Sequence, residues 1–278
     1  MKIAITAEST VDLTDSLKEK FDIHTVPFTV LLGNEMFHDG EIDNQRIFDY
    51  VKENKVLPKT SAVNEYQYEE FFGEILKNYD AIIHFSLSSE MSSAYNNAKS
   101  VSSKLNNVYV VDSRTLSTGI ALLAIRAKKL ADKGLEPAQI VDEINKTIPK
   151  THASFVINKL DYLYKGGRCN ALQLLGANLL KLKPFINVEN GKMGVYKKYM
   201  GKWTECLKKY FDDLMEMYPN IEKDEVFITM TTAPDEIVDY LKDKLVKEGF
   251  ENINITHAGC TVTSHCGENT LGVLFIEK

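Results

Sequence analysis

A chain of 278 residues, 44% hydrophobic and 26% charged, has the balance of a globular protein with a sizeable core, in one large or two ordinary domains. Its net charge of −6 argues against nucleic acid as the main partner, because backbone phosphates call for a basic surface. The longest apolar runs, such as Gly119 to Ile125, are far too short to span a bilayer, and the cysteines at 169, 206, 260 and 266 form no close double pair, which fits reduced thiols in a cytoplasmic setting.

Residues 2–6 (KIAIT) read as a buried strand that starts almost at the first residue, leaving no room for a signal peptide. A polar loop follows, feeding a helix that Thr14 or Asp12 is placed to cap. "IHTVPFTVLL" reads as a second strand, with Pro27 marking an edge or a bulge. Asp43 precedes an amphipathic helix with Ile47, Phe48 and Val51 on one face, and 64–77 is a further helix with Tyr68, Phe71, Phe72, Ile75 and Leu76 as its apolar stripe. Next come a strand over 81–85, a serine-rich turn, a helix to about Leu105, and the strand "VYVVDS". An Ala/Leu helix over about 115–132 and another over "PAQIVDEINKTI" complete a βα alternation that implies a mostly parallel sheet covered by helices.

Around residue 150 the pattern changes. "HASFVI" reads as a strand, and "YLYKGGRCNALQLLGANLL" as a double-glycine turn running into a helix. "FINVENGKMGVYKKY" holds two alternating runs on either side of Glu189-Asn190-Gly191-Lys192, a hairpin signal. A helix over 203–217, the strand "VFITMT", a helix over 235–248 and strands near 252–256 and 271–276 follow. The fold class expected is α/β, with a mostly parallel domain over 1–150 and a mixed, hairpin-bearing domain over 151–278.

Three polar stretches lie beside predicted strand ends or helix starts: Thr60-Ser61, the serines from Ser86 to Ser93, and "TSHCGENTLG" at 263–272. Ligands of open α/β sheets bind outside the carboxyl ends of strands, and free helix N–H groups there suit an anion. Taken singly, Thr60 and Ser61 read as ordinary helix caps; the convergence of three stretches is what suggests a site. "KGGR" at 165–168 lacks the lysine–serine signature of a phosphate-binding loop, and no dinucleotide glycine fingerprint is present. His257, Cys260, His265 and Cys266 match no common zinc spacing, and no orienting acid marks a Cys–His nucleophile pair.

The segments "KIAITAESTVDL", "PKTSAV", "SLSSEMSSAYNNA", "VVDSRTLSTG", "LYKGGRCN", "LLKLKPFINVENGKM" and "HCGENTLGVLF" cover nearly the whole chain. In that order they resemble the DegV family, whose best understood members are the fatty-acid-binding subunits of bacterial fatty acid kinase. The resemblance implies a two-domain α/β protein that holds one long-chain fatty acid, its carboxylate at the domain junction, with no cofactor of its own. It further implies presentation of that acid to a separate ATP-dependent kinase subunit, which forms an acyl phosphate for phospholipid metabolism, and it leaves room for transient membrane contact. The family's carboxylate-contacting hydroxyls fall on Thr60 or Ser61 and on Ser92, its late histidine motif on His265 and Gly267, and its Gly-Gly-Arg on Gly166, Gly167 and Arg168, assigned to the partner or phosphate.

The departures from the family pattern are Ala62-Val63 after the Thr-Ser pair, Ser93-Ala94 after Ser92, and Cys266-Gly267-Glu268-Asn269 after His265. Glu268 is unwelcome beside an anionic head group unless it points outward. The alternative is a serine-dependent lipid hydrolase or acyltransferase using a serine from 86–93 with His265 as base, although the GxSxG elbow is missing. A lipid-sensing regulator shares every one of these features.

Overall fold

The computed structural model describes residues 1–169 and 182–278. The helix expected after the double glycine lies mostly at 170–181, outside the described residues.

The chain opens with β1 (Ile3–Glu8), α1 (Asp15–Phe21), β2 (Ile23–Val26), β3 (Thr29–Leu32), β4 (Glu35–His38), α2 (Asn44–Asn54), β5 (Lys59–Ser61) and α3 (Glu65–Ile75). It continues with β6 (Ala81–Ser86), α4 (Ala94–Ser102), β7 (Val108–Asp112), α5 (Thr118–Asp132) and α6 (Pro137–Thr147). Strands β2, β1, β6 and β7 form a parallel sheet in that order, while β4, β3 and β5 form a small antiparallel sheet. Pro27 therefore does more than mark an edge: it divides the expected single strand into β2 and β3, which belong to different sheets. Lacking an N–H and fixed near φ −65°, proline suits that crossing point.

The remaining elements are β8 (Thr151–Ile157), α7 (Asp161–Gly166), β9 (Leu182–Glu189), β10 (Lys192–Met200), α8 (Trp203–Met217), β11 (Glu225–Met230), α9 (Asp235–Lys247), β12 (Asn252–His257), α10 (Cys260–Cys266) and β13 (Thr270–Ile276). They build a six-stranded sheet in the order β10-β9-β8-β13-β11-β12, antiparallel except for the β11–β12 pair. Asn190 and Gly191, with φ of 51° and 81°, make the hairpin turn between β9 and β10.

Local chemistry sets the helix starts. Thr14 caps α1 by accepting from Leu17 N, Asp43 caps α2 through Arg46 N, and Asn64 with Gln67 forms a reciprocal capping box on α3. The Ala/Leu helix α5 is apolar all round over Gly119–Ile125 and is buried on every side there. It packs against β1 and β6 of the parallel sheet and against β8, β11 and β13 of the mixed one. One apolar core accordingly runs from Ile5 and Ile83 through Ile120 to Phe155, Phe227 and Leu274. The carboxyl ends of β1 and β6, the strand β5 and the helix α10 meet beside this core.

Candidate functional site

The end of β6 is held by a buried carboxylate. Glu8, wholly buried, accepts from Tyr68 OH (2.6 Å), Ser86 Oγ (2.7 Å), Leu87 N (2.9 Å) and His84 Nε2 (3.2 Å). Burial alone would raise its pKa, but the hydrogen bond and charge of His84, with Tyr68 and Ser86, outweigh it and hold the group below the usual value. The serines beyond it are nearly all in use. Ser88 Oγ donates to Gly191 O at 2.8 Å, tying the loop to the hairpin, and Ser89 Oγ donates to Asp112 at 2.6 Å. Ser92 Oγ accepts from Ala94 N, the first N–H of α4, at 3.2 Å, which leaves its own proton to donate.

The opposite wall is α10, whose Cys-Thr-Val-Thr-Ser-His-Cys sequence has poor intrinsic helix propensity. Two acidic side chains from far along the chain start it. Asp12 accepts from Gly259 N at 2.8 Å and Asp39 from Cys260 N at 2.7 Å. Burial pushes the Asp12 carboxyl up to about 8, against the downward pull of Ser117 and Gly259 and with an upward push from Asp39.

From α10, His265 Nε2 lies 2.9 Å from Thr60 Oγ1 on β5. Its Nδ1 is buried with no partner among the described residues and faces Gly166, where a Cβ would stand only 2.8 Å away. Burial, assisted by the Arg168 charge, brings the imidazole pKa down to about 4, so the ring is neutral at physiological pH. Placing the proton on Nε2 avoids a buried unpaired N–H, which is costlier than an unpaired lone pair. His265 then donates to Thr60, and the Thr60 hydroxyl proton is free for the cavity. Gly267, at φ +70°, completes the fit: a Cβ there would meet the Tyr162 ring at 2.5 Å.

These groups surround a cavity of about 320 Å³, within the range of small-molecule pockets. Its walls are apolar, from Phe28, Leu87, Met91, Leu116, Leu163 and Val262, and its polar groups include Thr60, Ser61, Ser92, His265 and Arg168. Five of the expected site residues thus meet at one cavity. Gly166 backs His265, Gly267 seats Tyr162, and Gly167 ends α7 with φ +69° and open space where a Cβ would stand. The helix-cap reading of Thr60 and Ser61 is overturned: both lie in β5, paired with Val30 and Thr29 of β3, and Asn64 is the cap. Glu268 pairs with Lys159 at 3.3 Å on the exposed surface, so it points away from the cavity.

Sequence reasoning passed over Thr10, Thr261 and Met193, which also line the cavity. Thr10 and Thr261 keep buried hydroxyls without a partner among the described residues, each such group costing about 1–3 kcal/mol if left so. No residue spacing could have pointed to them, because a threonine in a turn or on a short helix is ordinary.

A model of the DegV family, described as "Uncharacterised protein, DegV family", matches residues 2–278. The chain belongs to the DegV family. A DegV domain-containing protein of Clostridium acetobutylicum is 30% identical over 280 residues, covering 100% of this chain and 99% of its own. A Thermotoga maritima protein named a fatty acid-binding protein is 28% identical, covering 98% of this chain and 96% of its own. A solved DegV lipid binding protein, also from Thermotoga maritima, superposes with a TM-score of 0.87 at 27% identity, covering 100% and 99% of the two chains. Against the DegV pattern, Ala62 and Cys266 are both cavity-wall residues here, so these departures alter the wall and leave the hydroxyl pair intact. Among the described residues no cluster of His, Cys, Asp and Glu is placed to hold a metal, and no helix is long and apolar enough to cross a membrane.

Proposed function

We propose that this protein holds one long-chain fatty acid in the cavity between α10, β5 and the serine loop. Its carboxylate would accept from Thr60, Ser61 and Ser92, and its chain would lie among Phe28, Leu116, Leu163 and Val262. The observation that carries this reading is a cavity that joins apolar walls to hydroxyls with protons to donate, beside one guanidinium. Each methylene taken from water contributes about 0.8 kcal/mol, so the chain supplies most of the affinity and the polar groups set its direction. The names carried by relatives support the same ligand class.

The acid would then be presented to a separate ATP-dependent kinase subunit, with the exposed Arg168 and the Gly166-Gly167 turn as the face offered to phosphate or partner. Support for this step comes from the family resemblance and from the position of Arg168, whose Nη1 donates to Gly166 O at 2.8 Å while its side chain borders the cavity. Guanidinium keeps its charge at every relevant pH, which suits an anion handle. Arg168→Ala is expected to retain bound fatty acid while acyl phosphate formation by a cognate kinase falls at least tenfold. A variant that loses its lipid, yet supports normal acyl phosphate formation once reloaded, contradicts that assignment.

A hydrolase reading has one observation in its favour, the 2.9 Å contact of a hydroxyl, Thr60, with a histidine nitrogen. Two facts weigh against it. His265 Nδ1 has no acid to orient it among the described residues, and a base with a pKa of about 4 takes up a proton poorly at neutral pH. No hydrogen bond joins a serine of 86–93 to a histidine among the described residues, which leaves the serine-nucleophile alternative without support.

A further inference from the structure

Two hydroxyls of the cavity take no part in this scheme. Thr10 and Thr261 are 0% and 4% exposed, both line the cavity, and neither Oγ1 has a partner among the described residues. Their neighbours do find partners. Ser9, next to Thr10, donates to Asp39 and accepts from Phe28 N. On α10, Thr263 donates to Ala258 O at 3.3 Å and Ser264 to Cys260 O at 2.7 Å. Thr261 alone among the three hydroxyl residues of that helix makes no such back-bond.

Thr261 precedes His265 by four residues, so it stands on the same helix face about 6 Å closer to the helix start. An extended hydrocarbon chain with carbon–carbon bonds of about 1.5 Å advances about 1.3 Å per carbon, so that separation corresponds to four or five bonds. An unsubstituted chain passing this point would leave both hydroxyls unpaired.

We propose that Thr10 and Thr261 form a second polar station and that the ligand is a hydroxy fatty acid, with its hydroxyl a few carbons from the carboxylate. The inference rests on the fatty acid reading and narrows it. A ligand hydroxyl both donates and accepts, so it can donate to one threonine and accept from the other, whereas a keto group can only accept and a double bond offers neither. A site built around such a group discriminates strongly against the analogue without it, because its buried partners are then stranded.

The test uses the delipidated full-length protein and displacement of a fluorescent fatty acid by hexadecanoic, 5-hydroxyhexadecanoic and 16-hydroxyhexadecanoic acids. The 5-hydroxy acid is expected to bind about tenfold or more tighter than either of the others. In Thr10→Val/Thr261→Val the order reverses, with hexadecanoic acid binding at least as well as it does to the parent. A 5-hydroxy acid no tighter than hexadecanoic acid in the parent protein overturns the proposal, whatever the variant's folding, and so does a preference that survives both valines. Failure of all three acids to bind overturns the fatty acid reading itself, whereas tight binding of all three without preference overturns only the second station.

Discussion

Across the physiological pH range His265 is a neutral donor, because burial with the nearby Arg168 charge holds its pKa at about 4. It therefore acts on a ligand through Thr60, whose hydroxyl it accepts no proton from and orients toward the cavity. Ser92 is prepared in a similar way, since accepting from Ala94 N leaves its proton as the group's remaining donor. In Thr60→Val/Ser92→Ala, a fatty acid carboxylate would lose two donors, and binding is expected to weaken by about 1–3 kcal/mol. The fatty alcohol of equal length, which carries no charge to strand, should change much less. Equal losses for acid and alcohol in calorimetric titrations would show that the hydroxyls serve the fold and not the head group. Which serine faced the cavity could be taken from the sequence only through the family resemblance. Chemically, the serines at 86, 88, 89 and 92 are interchangeable, and only the fold commits the first three to Glu8, Gly191 and Asp112.

Long, periodic helices and the parallel strands were legible in the sequence, because their apolar spacing is repeated over several turns or a full strand. The pieces that build the site were not. Strand β5 is three residues long and, among the described residues, pairs only with β3, so its Thr-Ser resembled a cap. Helix α10 forms despite its sequence, because Asp12 and Asp39, more than two hundred residues away, receive its first N–H groups. Its docking onto α7 depends on the absence of two side chains, at Gly166 and at Gly267. Gly166→Ala adds a methyl 2.8 Å from His265 Nδ1 and should push the ring off Thr60, weakening acid binding severalfold with little change in melting temperature. Gly267→Ala meets both the Tyr162 ring at 2.5 Å and a φ of +70°, and should lower the melting temperature clearly. Unchanged acid affinity in Gly166→Ala would mean that the His265–Thr60 contact does not matter for binding.

At the scale of the whole molecule, the two larger sheets share α5 and one apolar core, and the cavity lies where polar ties from both cross. One of those ties is sensitive to pH. With its pKa raised from 3.8 to about 8, Asp12 keeps a proton in the folded state that the unfolded chain gives up, so stability falls as pH rises between those values. His265 and His152 work in the opposite sense, but only below their unfolded value of 6.5. Among described residues with shifted values, Asp12 thus dominates between pH 6.5 and 8, and stability should drop by about 2 kcal/mol across that window. Asp12→Asn should flatten the slope in urea denaturation, and a slope that persists would assign it elsewhere.

Whether the cavity holds one fatty acid is measured by native mass spectrometry of the purified protein. A single added mass per chain is expected, identified by organic extraction as a fatty acid, lost on delipidation and restored by adding fatty acid. Protein that is empty as purified and takes up no fatty acid after delipidation would contradict it.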